Sequence, residues 1–187
     1  MWSYIPPQTF ESTLKEVVQA KRLSSSKMEK LKDIALKCME NDTQLVSILY
    51  RRHKGLSNTA KIHSLYAFDA LARAARHQVV KRGLTGDINS ERGNCATFLL
   101  KVEGVLEGLF QNMLSSGSTE AKEKTQKILD IWTKSSTFQK TVLERLQEVV
   151  NNSDKGAYHD SIHVFAKYFI SSVQSHLDFA RNTASNT

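Results

Sequence analysis

The chain has two prolines, and they stand side by side at positions 6 and 7. Every later residue keeps its backbone N–H, and none carries the ring that clashes with the preceding helical turn. Breaks must then come from the eight glycines and from Ser/Asn clusters. Between those clusters apolar residues recur at spacings of three and four, and no stretch alternates as a strand would. Phe10, Leu14, Val17 and Val18 share one face of a first helix. Ser24 is placed to cap a second, with Met28, Leu31, Ala35 and Cys38 on its stripe. Asn41 or Asp42 is the expected cap of a third, which runs to Lys54 and a left-handed stop at Gly55. A fourth starts near Ser57 or Asn58 and carries Ile62, Leu65, Phe68, Ala72 and Ala75 through His77. The segments "CATFLLKVEGVLEGLFQNML", "EAKEKTQKILDIWTKS" and "FQKTVLERLQEVV" supply three more.

These helices, joined by short loops, predict an all-α bundle or stacked superhelix with its core in residues 1–150. After the linker "NNSDKG", residues Ile162, Phe165, Phe169, Val173 and Leu177 form another stripe. About 30 residues cannot bury a core alone, so residues 151–187 are expected to add an eighth helix packed on the bundle, then a short disordered tail.

A net charge of +7 and a pI near 9.4 favour anionic partners: RNA, DNA, lipid headgroups or a phosphorylated peptide. The cations are dispersed through the helices, so charge does not choose among them. Cys38 and Cys95, each inside an apolar pattern, read as buried free thiols of a reducing compartment. The first twenty residues lack a basic start followed by an apolar block, and no run of about 18 apolar residues occurs. A cytosolic or nuclear protein is expected.

Catalytic signatures are absent. "GLTGDINSERG" lacks the strand context and the Gly-Lys-Ser/Thr ending of a phosphate-binding loop. His159 and His163 are four apart, but no His-Glu-x-x-His pattern or cysteine cluster completes a metal site. No serine sits in a nucleophile elbow and no cysteine has an evident base. The expectation is a non-enzyme without cofactor or metal.

Binding chemistry is more promising. Tyr66, Asp69, Arg73 and His77 fall on one edge of the fourth helix, beside its apolar stripe, as a polar seam. Locally this reads either as a surface Asp69–Arg73 pair or as a recognition site in which Asp69 accepts a hydrogen bond from a ligand hydroxyl and Arg73 adds positive charge. Trp132 and Phe138 read as core aromatics that pin two helix ends together.

The stretch "SLYAFDALARAARHQ" resembles the Leu-Tyr-x-x-Asp-Ser-ϕ-x-Arg helix of the CID family, the domains that bind the C-terminal domain (CTD) of RNA polymerase II. "KILDIWTKSSTF" is similar to that family's second signature, and the order of the two segments agrees. The resemblance extends over residues 10 to about 150 and points to the fungal Nrd/Seb type of transcription termination factor. It implies a right-handed superhelix of eight helices that receives the heptad Y-S-P-T-S-P-S, often phosphorylated, along helices two, four and seven. It also implies a nuclear, monomeric, non-catalytic module that recruits termination or RNA 3′-end processing machinery. RNA would be bound by a separate domain that this chain does not carry.

On this resemblance Asp69, Tyr66 and Arg73 border the peptide, and Leu143 and Leu146 match positions that line its groove. Phosphate is expected at the start of helix two, from Ser24 and Lys27 with Lys21 and Arg22 nearby, and at Lys127, where relatives carry arginine. The family serine after the acid is Ala70 here. Two rivals remain at this point: a trafficking adaptor of the related ENTH/VHS type, binding phosphoinositides or sorting peptides, and a direct RNA-binding helical module.

Overall fold

A computed structural model describes residues 6–153. Among them lie seven α-helices and no strand: α1 Pro7–Val18, α2 Ser25–Lys37, α3 Asp42–Lys54, α4 Asn58–Arg82, α5 Cys95–Leu114, α6 Thr119–Lys134 and α7 Lys140–Asn152. The expected eighth helix and tail fall on residues 154–187, outside the described residues. None of the described helices is long and apolar enough to cross a membrane.

Local chemistry sets most of the helix ends. Pro7 opens α1 at its first position, where a missing N–H costs nothing. Ser24 caps α2 by accepting the Lys27 N–H, and Ser118 caps α6 from Ala121. Asn94 forms a full capping box with Thr97 at the start of α5. Two expectations are corrected. Gly55 closes α3 with φ −89°, because Gly55 and Leu56 N–H groups bond back to Arg52 and His53 in a right-handed turn. The left-handed stop belongs to Gly83, φ 61°, which lets α4 run to Arg82. Neither Asn41 nor Asp42 caps α3 with its side chain from the N-cap position. A 3₁₀ turn, Met39–Asn41, leads in, and Asp42 is already helical and buried.

The helix α5 runs through the middle of the bundle and packs on α3, α4, α6 and α7. Phe98, Leu106, Leu109 and Phe110 on it are fully buried. At the far end Trp132 of α6 stacks on Phe110, ring centroids 5.8 Å apart, and meets the edge of Phe138 at 4.9 Å. Trp132 is fully buried, so these three rings join α5, α6 and the start of α7.

A second tie is polar. Lys101 of α5 donates to Asp42 Oδ1 at 2.6 Å and to Thr43 Oγ1 at 2.7 Å, and Thr97 Oγ1 donates to Asp42 Oδ2. Gly93 lies against this carboxyl, where a Cβ would overlap it, and its N–H bonds Glu40 O at 3.0 Å. The α4–α5 loop is thereby fastened to the junction of α2 and α3.

Candidate binding groove

The α4 helix has 25 residues and spans about 37 Å at 1.5 Å per residue. One side of it packs on α1, α3 and α5 through Ile62, Leu65, Phe68, Ala72 and Ala75. Its neighbouring edge meets α2 across an open groove of about 610 Å³. Met28, Lys32 and Leu36, one turn apart, form the α2 wall; Tyr66, Ala70, Arg73, Ala74 and His77 form the α4 wall. Met28, Leu36 and Tyr66 are only partly covered and rest on the core, so the groove offers an apolar floor.

Asp69 sits in this wall at 4% exposure. Its carboxylate is held on two sides. Arg73 Nε donates to Oδ1 at 2.8 Å and Nη2 to Oδ2 at 2.7 Å. From behind, the Trp132 indole N–H donates to Oδ1 at 3.0 Å. A carboxylate has about four lone-pair directions, and three are occupied, leaving one on Oδ2. Arg73 itself is about half exposed, so the guanidinium bridges the buried acid and the open groove. The bond to Asp69, more than the opposing burial, raises the Arg73 pKa further and fixes it as a cation. A second ion pair, Glu29–Lys32 at 2.7 Å, lies on the opposite wall.

The predicted site residues separate into those the groove gathers and those it does not. Tyr66, Asp69, Arg73 and Ser24 line it together. Lys27 stands in the first turn of α2, beside Ser24, and makes a loose pair with Glu16 at 3.7 Å. Lys21 and Arg22 are exposed in the α1–α2 connection that leads to Leu23, at the groove rim. Lys127 is exposed on α6 and does not line this groove. Leu143 and Leu146 are placed in the core instead of on a groove floor: Leu146 is fully buried and Leu143 nearly so. The reason is that the stripe Val142, Leu143, Leu146 and Val150 on α7 is turned inward onto α5 and α6.

Sequence reasoning missed the indole behind Asp69, because 63 positions separate the partners. It also missed Met28 and Leu36 as floor and the Glu29–Lys32 pair. Met28 lies on the α2 stripe and could have been found there; Leu36 lies off it, and nothing local announces the indole.

The rest of the described chain offers little reactive chemistry. Burial raises the thiol pKa of both Cys38 and Cys95, which weakens them as nucleophiles. Among the described residues no three His, Cys, Asp or Glu side chains gather as metal ligands; His159 and His163 lie outside these residues.

The CID domain family model matches residues 8–146, nearly the whole described helical array and both walls of the groove. The chain belongs to the CID family. Among curated proteins, this CID is 24% identical over 131 residues to the Rpb7-binding protein seb1 of Schizosaccharomyces pombe. The match covers 70% of this chain but only 21% of seb1. The yeast Nrd1 CID in complex with Sen1 NIM3 superposes with a TM-score of 0.68 at 26% identity, over 77% of this chain and 98% of that one. A structure of the RNA polymerase II CTD-interacting domain of Nrd1 gives 0.65 at 25% identity, over 79% and 99%. The S. pombe Seb1 CID gives 0.69 at 23%, over 81% and 98%, a likeness of fold.

Proposed function

We propose that the α2–α4 groove binds an extended peptide, the phosphorylated heptad-repeat CTD of RNA polymerase II, and so brings a termination or RNA 3′-end processing factor to the polymerase. The observation that carries this reading is Asp69: a nearly buried carboxylate in an open apolar groove, braced by Trp132 and Arg73, with one acceptor direction unused. A tyrosine hydroxyl, a serine hydroxyl or a peptide N–H satisfies that acceptor, while prolines and the tyrosine ring cover Met28, Leu36 and Tyr66. Phosphate meets the amides at the start of α2 together with Lys27, Lys21 and Arg22. Lys127 is a separate, more distant contact for a longer peptide, and its lysine head gives charge without a bidentate fork.

The reading is of a nuclear, non-catalytic module. An unfolded tail loses chain entropy when it is ordered, so a single repeat binds weakly and repetition of heptads supplies avidity. The resemblance to the Nrd1 CID, solved with a Sen1 NIM peptide, supports a peptide over a membrane or RNA as the ligand.

The test is a fluorescence titration with two-repeat heptad peptides, unphosphorylated or phosphorylated at one serine at a time, with a NIM-type peptide, phosphoinositide liposomes and single-stranded RNA alongside. Saturable binding of heptads, weakened at least about tenfold by Asp69→Asn, is the expected result. Equal binding by Asp69→Asn and wild type, or binding of liposomes or RNA alone, defeats it.

A further inference from the structure

The charges lining the groove cancel in pairs. Lys32 is committed to Glu29 on the α2 wall and Arg73 to Asp69 on the α4 wall. Ser24 is engaged as the α2 cap and bonds Ser26 Oγ at 2.9 Å. His77 is different. It lines the same groove, is exposed, and of the three basic side chains in the lining is the one with no ion pair or side-chain hydrogen bond. It stands one helical turn beyond Arg73, where side chains four apart are neighbours, and Lys81 follows one turn later on the same edge.

A dianionic phosphate entering a charge-balanced groove needs a new positive counterpart. Both cations inside the groove are already neutralised by carboxylates, and drawing either away would strand Glu29 or the buried Asp69. An imidazole has no such cost. It donates one N–H when neutral and two when protonated, so it answers a neutral ligand with one hydrogen bond and a phosphate with a full charge. Resting on the peptide-binding reading above, we infer that His77 is a second phosphate contact, inside the groove and additional to the cations at the α2 start, which favours a phosphorylated peptide over its unmodified form by taking up a proton as a phosphoserine docks against it.

The groups that face His77 are consistent with this role. Across the groove stand Glu29 and Lys32, paired to each other; along α4 stand the Asp69–Arg73 pair and Lys81. Lys81 and the exposed Lys21 and Arg22 at the rim add positive charge, which a docked phosphate offsets.

The experiment compares wild type, His77→Gln and His77→Lys, all checked for unchanged helical content and melting, with an unphosphorylated and a singly phosphorylated heptad pair. His77→Gln should weaken the tightest phosphopeptide by about threefold to tenfold and leave the unmodified peptide within about twofold. His77→Lys, a fixed cation, should restore the phosphopeptide. Calorimetry in buffers of different ionisation enthalpy should give more protons taken up per phosphopeptide bound by wild type than by either variant. Equal losses for both peptides in His77→Gln, or identical proton uptake in wild type and variants, overturn the inference while the peptide reading stands. If neither peptide binds wild type, both readings fall together.

Discussion

Two buried aspartates in this domain carry the same charge in opposite settings. Asp42 is enclosed on every side: Lys101, Thr97 and Thr43 all donate to it, and the Lys101 side chain is 5% exposed. Asp69 is as deeply placed, but its cation reaches solvent, with Arg73 48% exposed. At Asp42 every donor belongs to the fold, so the carboxylate can only hold α3, α5 and the α4–α5 loop together. At Asp69 one donor belongs to the core, through Trp132, and one belongs to the groove, through Arg73. What separates the two acids is the exposure of the partner, since their own burial is nearly equal, and that exposure is why recognition is proposed for Asp69 and not for Asp42.

The largest effect is expected at the closed site. Lys101→Met leaves Asp42 charged and uncompensated in the interior, which costs about 3–5 kcal/mol in urea unfolding. The double variant Lys101→Met/Asp42→Asn should recover part of that loss, because a neutral amide no longer needs a cation. Peptide affinity of the folded fraction should not change. A loss under about 1 kcal/mol for the single variant would show that the node is wetter than its burial implies.

His53 sharpens the contrast as a buried polar group with no hydrogen-bond partner. It is fully buried, edge-on to Phe68, and neither ring nitrogen has a hydrogen bond. Burial, and secondarily the Lys61 charge, lower its pKa to about 3. The unfolded chain therefore takes up a proton near pH 6.5 that the folded chain refuses. Stability is full above that value and falls by about 1.4 kcal/mol per pH unit as pH drops towards 3. His53→Phe should flatten this acid limb between pH 6 and 4; an unchanged slope would mean other groups set it.

The helices were legible because the spacing of apolar residues, the Ser24 cap and the absence of proline after Pro7 are local facts. The edge bearing Tyr66, Asp69, Arg73 and His77 was legible for the same reason, since all four lie on one helix. What a neighbour does was not. Whether Asp69 was backed by Trp132, whether Asp42 capped a helix or met Lys101, and which way the α7 stripe turned all depend on contacts across many positions. Leu143 and Leu146 illustrate the limit: periodicity grouped them on one face but could not say whether that face met a ligand or α5 and α6. Gly55 shows the same limit on a smaller scale, because glycine permits a left-handed stop without requiring one.

At the groove, Asp69→Asn should cost about 1–2 kcal/mol of stability, as the two-bond ion pair with Arg73 becomes a single hydrogen bond from the cation to a neutral amide oxygen, alongside its loss of peptide binding. The joint loss is itself informative, because at Asp42 only stability should respond.

The smallest stability change is expected from Arg73→Lys, and it tests the distinction most directly. Lysine keeps the charge but offers one ammonium where the guanidinium set two parallel donors on Oδ1 and Oδ2. Because Arg73 is half in water, the lost fork should cost under about 1 kcal/mol in unfolding. The ligand should notice more: without the fork Asp69 is no longer held in one rotamer, and heptad affinity should fall about threefold to tenfold. The matching change at the closed site, Lys101→Arg, must fit a larger head into a pocket with no opening, so it should lose about 1–3 kcal/mol and no affinity. If the two conservative exchanges instead cost the same stability, partner exposure would not be what divides the two aspartates, and Asp69 would join Asp42 as a stitch in the core.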